Sequence, residues 1–365
     1  MPRRESPKYQ QVFENLSKDI LGGKYHAGQK FPSEAALVKQ FGASRITVGR
    51  AVRELKERGL VERIAGSGTY VSGLPRSRKG LLFGLLIPDL GQTEIYEPIC
   101  QGIASSPEAA DHALLWGHTD TGSADPERQT FDLCRQFVER EVSGVFFAPL
   151  ERTPHMDEVN RKVASTLEAA RIPVVLIDHC VLPFPQRSRH DLVGIDNRRA
   201  GYLATEHLLG LGAKRIVFIA FPGAAPTVAA RAAGYRECLL DHDGGVGHCL
   251  NYATESFTES TMRRLLKVNR PDAFVCANDR TAGLLMQALL SAGVRIPRDI
   301  RIVGVDDVTY ASLLPVPITT IHQPCRAIGE AALQVMLDRL RRPKSLTRDV
   351  LLDCTLVIRK SCGGE

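Results

Sequence analysis

The sequence predicts a parallel α/β fold behind an N-terminal α+β winged helix-turn-helix domain, and three observations carry that reading. Residues 32–73 place a capped helix, a glycine turn, a basic helix and a glycine-tipped hairpin in that order. From residue 81 onward, short apolar runs alternate with helical stretches, the pattern of a parallel α/β fold. Charge is also divided: residues 1–80 hold 16 Lys and Arg against 7 Asp and Glu, whereas the remainder holds 31 against 34. A basic head on a slightly acidic body is the footprint of a polyanion-binding module joined to something else.

At 365 residues the chain is too long for the head alone and implies two or three domains. Residues 8–22 set Val12, Phe13, Leu16, Ile20 and Leu21 on one helical face, the first helix of the head. Ser33, after Pro32, is placed to cap a second helix, and Glu34 favours its positive end. That helix carries Ala36, Leu37, Val38 and Phe41 and stops at Gly42. Ser44 opens a third helix, closed by Gly59, whose apolar residues Val48, Ala51, Val52 and Leu55 fall at i, i+3, i+4 and i+7. Arg45, Thr47, Arg50 and Arg53 lie elsewhere on it. The second and third helices form a helix-turn-helix with the third as recognition helix. Its N-terminal end must offer donors to the floor of the major groove, and Ser44, Arg45 and Thr47 supply them. LVERI, the turn AGSG and TYVS read as a hairpin wing. Its small tip, Gly66, Ser67 and Gly68, can approach the sugar-phosphate backbone. Residues 74–80, LPRSRKG, read as the interdomain linker, with three basic residues within reach of phosphates.

The second region opens with LLFGLLIPD, an apolar run of the kind buried in parallel sheets. Further runs are HALLWGH, VSGVFFAP, IPVVLID, LVGID, RIVFIAF, AFVCAND and IRIVGVDD, with helical stretches between them. Polar residues gather at the carboxyl ends of these strands, where open α/β sheets bind ligands. Nine scattered cysteines without a C-x-x-C pair argue for buried thiols and against a disulfide framework. MPRRESPKYQ lacks the apolar core of a signal peptide, and no apolar run approaches membrane-spanning length. The expectation is a soluble, cytoplasmic protein with no membrane partner. No nucleophile elbow, phosphate loop, H-E-x-x-H or Cys/His zinc pattern occurs. His118, His179 and His322 stand alone, so ordinary core or surface roles are expected, with no metal and no cofactor.

FPSEAALVKQFGASRITVGRAVRELKERGLVERIAGSGTYV resembles the winged helix of GntR-type bacterial transcriptional regulators over residues 8–73, through PSE, SR.TV, GLV and GSGTYV. The resemblance implies a head spanning residues 1–73 in which Glu34, Ser44, Arg45, Thr47 and Gly68 match positions that contact DNA; Ser33, Arg50, Gly66, Ser67 and Thr69 complete the expected DNA-binding set. Where many members carry basic residues after PSE and after the TV pair, this chain has Ala35 and Gly49, with Arg50 one residue on.

AFVCANDRTAGLLMQALLSAGVRIPRDIRIVGVDDVTYASLLPVPITTIHQPCRAIGEAA resembles the sugar-sensing core of LacI-type repressors, akin to periplasmic sugar-binding proteins, over residues 81–359. That implies two α/β lobes with parallel sheets, an effector in the cleft between them, and chain crossings near 190, 321 and 345. A GntR-type head on a LacI-type core is the organisation of arabinose-repressor-like regulators. The matching effector positions are Asp178, Arg231, Asn278 and Asp306. Thr93, Glu94 and Tyr96 are candidates from GQTEIYEP, and Gln323 from the last crossover. Planar polar groups suit paired sugar hydroxyls: Arg231 offers a fork of donors, and each aspartate can accept from two vicinal hydroxyls. Asp279 is expected to cap the following helix, and Asp307 to cap or stay solvated. The implied partners are double-stranded operator DNA with an inverted repeat, a small sugar-like effector and a second copy of the chain. The implied function is repression of carbohydrate-utilisation genes. A GntR-type head fused to an enzyme-like domain stands as the alternative. It calls for a Schiff-base lysine in a far longer second domain, and the region from 81 is lysine-poor.

Overall fold

The computed structural model describes residues 8–21, 24–25, 28–57, 60–64, 67–71, 80–87, 94–117, 125–243, 250–253 and 256–364. The chain forms two compact units, Met1–Lys79 and Gly80–Glu365. The first unit holds α1 (Lys8–Leu21), α2 (Glu34–Phe41), α3 (Arg45–Glu57), β1 (Val61–Ile64) and β2 (Gly68–Val71). Ser33 caps α2 by accepting a hydrogen bond from the Ala36 amide, and Gly42 ends the helix at φ 55°. The Ser44 hydroxyl accepts from the Thr47 amide at 3.2 Å, which fixes the start of α3. Val12, Leu16 and Ile20 of α1 meet Leu37 of α2 and Val48, Ala51 and Leu55 of α3 in one core, closed by Val61 and Val71 of the hairpin. β1 and β2 pair antiparallel from Val61↔Val71 to Ile64↔Gly68. The end of α3 expected at Gly59 and residues 74–79 of the linker lie outside the described residues. Gly80 already packs into the second unit, where an added Cβ would stand 1.9 Å from the Asp111 carbonyl. The linker therefore ends one residue before its expected limit.

The second unit begins with β3 (Leu82–Leu86), α4 (Tyr96–Ser105), β4 (Ala113–Trp116), α5 (Pro126–Glu139), β5 (Gly144–Phe147), α6 (Met156–Ala169), β6 (Val174–Ile177) and β7 (Asp191–Ile195). It continues with α7 (Asn197–Gly210), β8 (Ile216–Ala220), α8 (Pro226–Asp243), β9 (Leu250–Ala253), α9 (Glu259–Asn269), β10 (Ala273–Cys276), α10 (Asp279–Ser291), β11 (Arg301–Asp306) and β12 (Thr319–His322). Last come α11 (Cys325–Arg341), β13 (Asp349–Leu352) and β14 (Thr355–Val357). Two six-stranded sheets result, β13-β7-β6-β5-β3-β4 and β14-β12-β11-β10-β8-β9. The first is wholly parallel, and only β14 runs antiparallel in the second. Strands β5, β6, β8 and β10 are buried throughout, as helices on both faces require.

The chain passes between these lobes three times, at different places from two of those expected. β7 pairs with β6 and β13 in the first lobe as far as Ile195, so the first crossing falls at Asp196 and not near 190. The second, between His322 and Cys325, lies where it was expected, near 321. β13 joins the first sheet before β14 joins the second, which moves the third crossing from 345 to 353–354. Nor does the core end at 359. The turn Lys360–Cys362 buries Ser361, whose hydroxyl donates to the Ile302 carbonyl and accepts from the Thr319 amide.

Each lobe contains one unusually close helix pair built on glycine. α4 meets α11 at Gly102 and Gly329, and α7 meets α8 at Gly201 and Gly234. A Cβ at any of the four would fall 1.8–2.1 Å from a backbone oxygen of the partner helix. The α7–α8 contact is what seats Arg231, because the carbonyl pressed against Gly201 is that of Arg231 itself.

Candidate functional site

In the first unit, one concave surface joins α3 to the wing. Glu34, Arg45, Ile46, Gly49, Arg53, Lys56, Arg63 and Thr69 line it. Four cations against one carboxylate give the surface a positive field suited to phosphate. Arg45 is exposed at the first position of α3. The Ser44 and Thr47 hydroxyls bond each other at 2.8 Å, so both are already oriented. On the wing, Ser67 bonds the Tyr70 hydroxyl at 2.7 Å and Gly68 adopts φ 128°. Gly66 lies outside the described residues. Arg50 departs from expectation. Its guanidinium stacks 3.9 Å from the Tyr9 ring centroid, a cation–π contact that draws it toward α1 and away from the role left open by Gly49. The Ser33 hydroxyl is likewise committed to its helix cap.

In the second unit, a cavity of about 610 Å³ opens where strand ends of the two lobes face each other. Glu94 and Arg152 reach it from the first lobe, and Asn278, Arg280, Asp306 and Tyr310 from the second. Behind Asp306, one of the lining residues, Arg231 is only 4% exposed. Its Nε donates to Asn197 Oδ1 at 2.8 Å, one terminal nitrogen donates to the Ala277 carbonyl at 2.6 Å, and the other stands 3.6 Å from Asp306 Oδ1. Gln323 Nε2 donates to the same Asp306 oxygen at 2.6 Å. Burial pushes the Asp306 carboxyl up to about 6, although Arg231 and Gln323 both pull it down. The charges of Asp178 and Glu151 add to the rise, which places both close by.

The first lobe contributes Tyr96, Glu151, Asp178 and His179. Tyr96 is buried and hydrogen-bonds Glu151; burial, then the charges of Glu151, Asp178 and Asp306, hold its phenol well above the usual value. Burial likewise raises Glu151, with His179, Arg152 and Arg231 acting in the opposite sense. His179 Nδ1 lies 3.3 Å from Asp178 Oδ2 and 3.9 Å from Glu151. Glu151, Asp178 and His179 thus bring three donor atoms within 4.8 Å of one another. That spacing could hold a cation, but each carboxylate already has a side-chain partner in Tyr96 or His179. Asp178 and Asp306 both have positive φ, 71° and 117°, an uncommon backbone state that clusters at binding sites.

Of the effector positions expected from sequence, Asp306 and Asn278 line the cavity, with Glu94, and Tyr96, Asp178, Arg231 and Gln323 gather around Asp306. Thr93 lies outside the described residues, as does His118. The helix cap is not where it was expected. Asn278 caps α10, its Oδ1 accepting from the Thr281 amide and hydroxyl, which leaves the amide nitrogen uncommitted to the cap. Asp279 is instead fully buried and binds Thr320 Oγ1 at 2.6 Å and the Val308 amide at 3.1 Å. Asp307 neither caps nor stays solvated; it pairs with His322 at 2.9 Å and Arg359 at 2.5 Å. Glu151, Arg152, Asn197, Arg280 and Tyr310 were not anticipated, and His179 was assigned an ordinary role. Asp178 came from the resemblance; the general rule that ligands bind beyond strand ends points also to Glu151, four residues after Phe147.

Residues 8–71 match the gntR family of bacterial regulatory proteins, and residues 205–362 match the periplasmic binding protein-like domain. The arabinose metabolism transcriptional repressor of Geobacillus stearothermophilus is 28% identical over 373 residues, covering 99% of either chain. That of Halalkalibacterium halodurans is 24% identical over 374 residues, 97% of this chain and 96% of the other. Among solved structures, the regulator CelR in complex with cellobiose aligns over 98% of this chain and all of its own, with TM-score 0.65 and 23% identity. A LacI family regulator from Enterococcus faecium with bound ribose covers 77% of this chain and 98% of its own, with TM-score 0.61 and 22% identity. These structural likenesses carry the fold. An enzyme-like second domain of the aminotransferase type does not fit them.

Proposed function

We propose that this chain, a GntR-type helix-turn-helix domain joined to a periplasmic-binding-protein-like core, is a cytoplasmic transcriptional repressor of carbohydrate-utilisation genes. It acts by binding and not by catalysis. A small sugar-like effector occupies the cleft between the two α/β lobes and controls affinity for operator DNA. The observation that carries the reading is the convergence of Arg231, Asp306 and Gln323 with Tyr96, Glu151 and Asp178 from the opposite lobe. These are paired planar donors and acceptors, arranged for vicinal hydroxyls. Arg45, Thr69 and Gly68, with the oriented hydroxyls of Ser44 and Thr47, contact operator DNA, and Arg53, Lys56 and Arg63 add phosphate contacts. Two copies of the chain present two recognition helices to an inverted repeat. Binding of effector closes the lobes and alters the disposition of the heads.

A thermal-shift screen against mono- and disaccharides, followed by gel shift on the chain's own promoter DNA, tests this. A cognate sugar at about 100 times its Kd should add roughly 2.7 kcal/mol of stability. The same sugar should change the mobility shift. Stabilisation by no sugar, or by one that leaves DNA binding untouched, would sink the proposal.

A further inference from the structure

The recognition helix carries an apolar residue that the fold does not account for. Ile46, second residue of α3, is 83% exposed. It has no place in the head's core, which takes Val48, Ala51 and Leu55 from the opposite side of the same helix. As a β-branched residue it does not favour the helix either. A single exposed aliphatic side chain is ordinary on most surfaces. This one stands in the few residues of a recognition helix that reach base edges.

Its surroundings sharpen the point. Gly49, one turn on, has no side chain, and a Cβ there would lie 3.9 Å from Glu34 Oε2. Arg50, the nearest cation on that side, is drawn onto Tyr9. Ile46 therefore projects from a shallow floor, with Arg45 beside it and Arg53 and Thr69 lining the same concavity. The cations along this concavity would hold it against the phosphates, so a base edge that reaches it meets the exposed aliphatic group of Ile46. In the major groove the one apolar group a base pair presents is the thymine C5-methyl.

Resting on the DNA-binding reading above, we propose that Ile46 is a specificity-determining residue that packs on a thymine methyl in each operator half-site. Sequence preference at that base pair then comes from apolar contact and not from a hydrogen bond.

The experiment selects bound duplexes from a random library with the full chain and no added sugar. Each thymine of the selected duplex is then replaced in turn by deoxyuracil, which lacks only the methyl group. For the wild type, one uracil position per half-site should weaken binding three- to fivefold at fixed salt, the equivalent of about 0.8 kcal/mol for one methyl removed from water. Ile46→Ala should bind the thymine duplex weakly to a similar degree and be indifferent to uracil at that position. Ile46→Val should keep most of the discrimination. Equal responses of wild type and Ile46→Ala at every position, or no response to uracil anywhere, would overturn the inference while leaving the DNA-binding reading intact. Failure to enrich any duplex would remove both.

Discussion

Asp178 and Asp306 occupy equivalent places in the two lobes. Each lies at the carboxyl end of the third strand of its sheet, each is 9% exposed, and each has positive φ. Their partners differ. Asp306 is held by Gln323 and faces an arginine that is itself bonded to Asn197 and a backbone carbonyl. Among the described residues Asp178 has one side-chain hydrogen bond, to the adjacent His179 at 3.3 Å. Around it stand Glu151 and Tyr96, so the first lobe's half of the cleft is rich in acceptors and poor in fixed donors. The second lobe's half is organised before any ligand arrives. The difference teaches where affinity should reside: groups already ordered lose little freedom on binding. The second lobe should therefore supply most of the sugar affinity, and the first lobe its response to closure.

The largest effect expected from this comparison is that of Arg231→Ala. It removes the donor fork, leaves Asn197 and the Ala277 carbonyl without their partner, and strips Asp306 of its counter-charge. Hydrogen bonds to a charged group contribute roughly 1.5–3 kcal/mol, so sugar affinity should fall about tenfold to more than a hundredfold. Calorimetric titration reads this directly. Affinity for operator DNA in the absence of sugar should be unchanged. Arg231→Lys should rescue little, since an ammonium cannot reproduce the fork. A loss of less than threefold would place the binding determinants in the other lobe.

How much of this was legible from sequence follows from the range over which each feature is decided. The head is local: Ser33, Gly42 and Ser44 cap or stop their helices by contacts within a few residues, and all three act as read. Asp178 and Asp306 close their strands and so sit in nearly local patterns, whereas Arg231 lies within α8 and was reached only through the resemblance. The crossings are not local, because β7 pairs with β6 only as far as Val193 and is carried on to Ile195 by β13, which arrives from the far end of the chain. The cap of α10 failed for the same reason. Asn278 and Asp279 are both able to cap, and the choice is made by Thr320 and the Val308 amide, distant residues that claim the Asp279 carboxyl. Glu151 follows a strand in a segment, APLERTP, with no periodicity to mark it.

An intermediate effect comes from pH. Asp306 has a folded-state pKa of about 6, raised by burial, against about 3.9 for an unfolded aspartate. Between those values the folded chain holds a proton that the unfolded chain has released. The contribution of this group to stability is therefore fully present below about pH 4 and lost as pH rises through about 6. Sugar binding should run the other way, because only the ionised carboxylate accepts from two hydroxyls. Affinity at pH 5 should be about tenfold weaker than at pH 7.5, with proton release on binding near pH 6. Glu151, also raised by burial, acts in the same direction, whereas Arg231 and Gln323 oppose the shift. Asp306→Asn should flatten most of the dependence. A wild-type profile already flat across this range would mean that Asp306 does not accept from the ligand.

The smallest effect tests the less ordered half. Tyr96→Phe keeps the buried ring and removes only the hydroxyl that bonds Glu151. Lost in isolation, such a bond is worth roughly 0.5–1.5 kcal/mol net, so sugar affinity should fall about two- to tenfold. The Glu151 carboxylate, deprived of a donor in a buried setting, should take up a proton more readily, steepening the decline of affinity toward acid pH. Because the proposed closure acts through this half, the substitution should also weaken coupling. Linkage requires that operator DNA change sugar affinity by the same factor by which sugar changes DNA affinity, and Tyr96→Phe should shrink both factors together. Arg231→Ala, by contrast, should shift the sugar concentration needed while keeping a response at saturation. Calorimetry of the sugar with and without operator separates the two patterns. If Tyr96→Phe costs as much affinity as Arg231→Ala and leaves coupling intact, the division of the cleft into an ordered binding half and a responsive closing half is wrong.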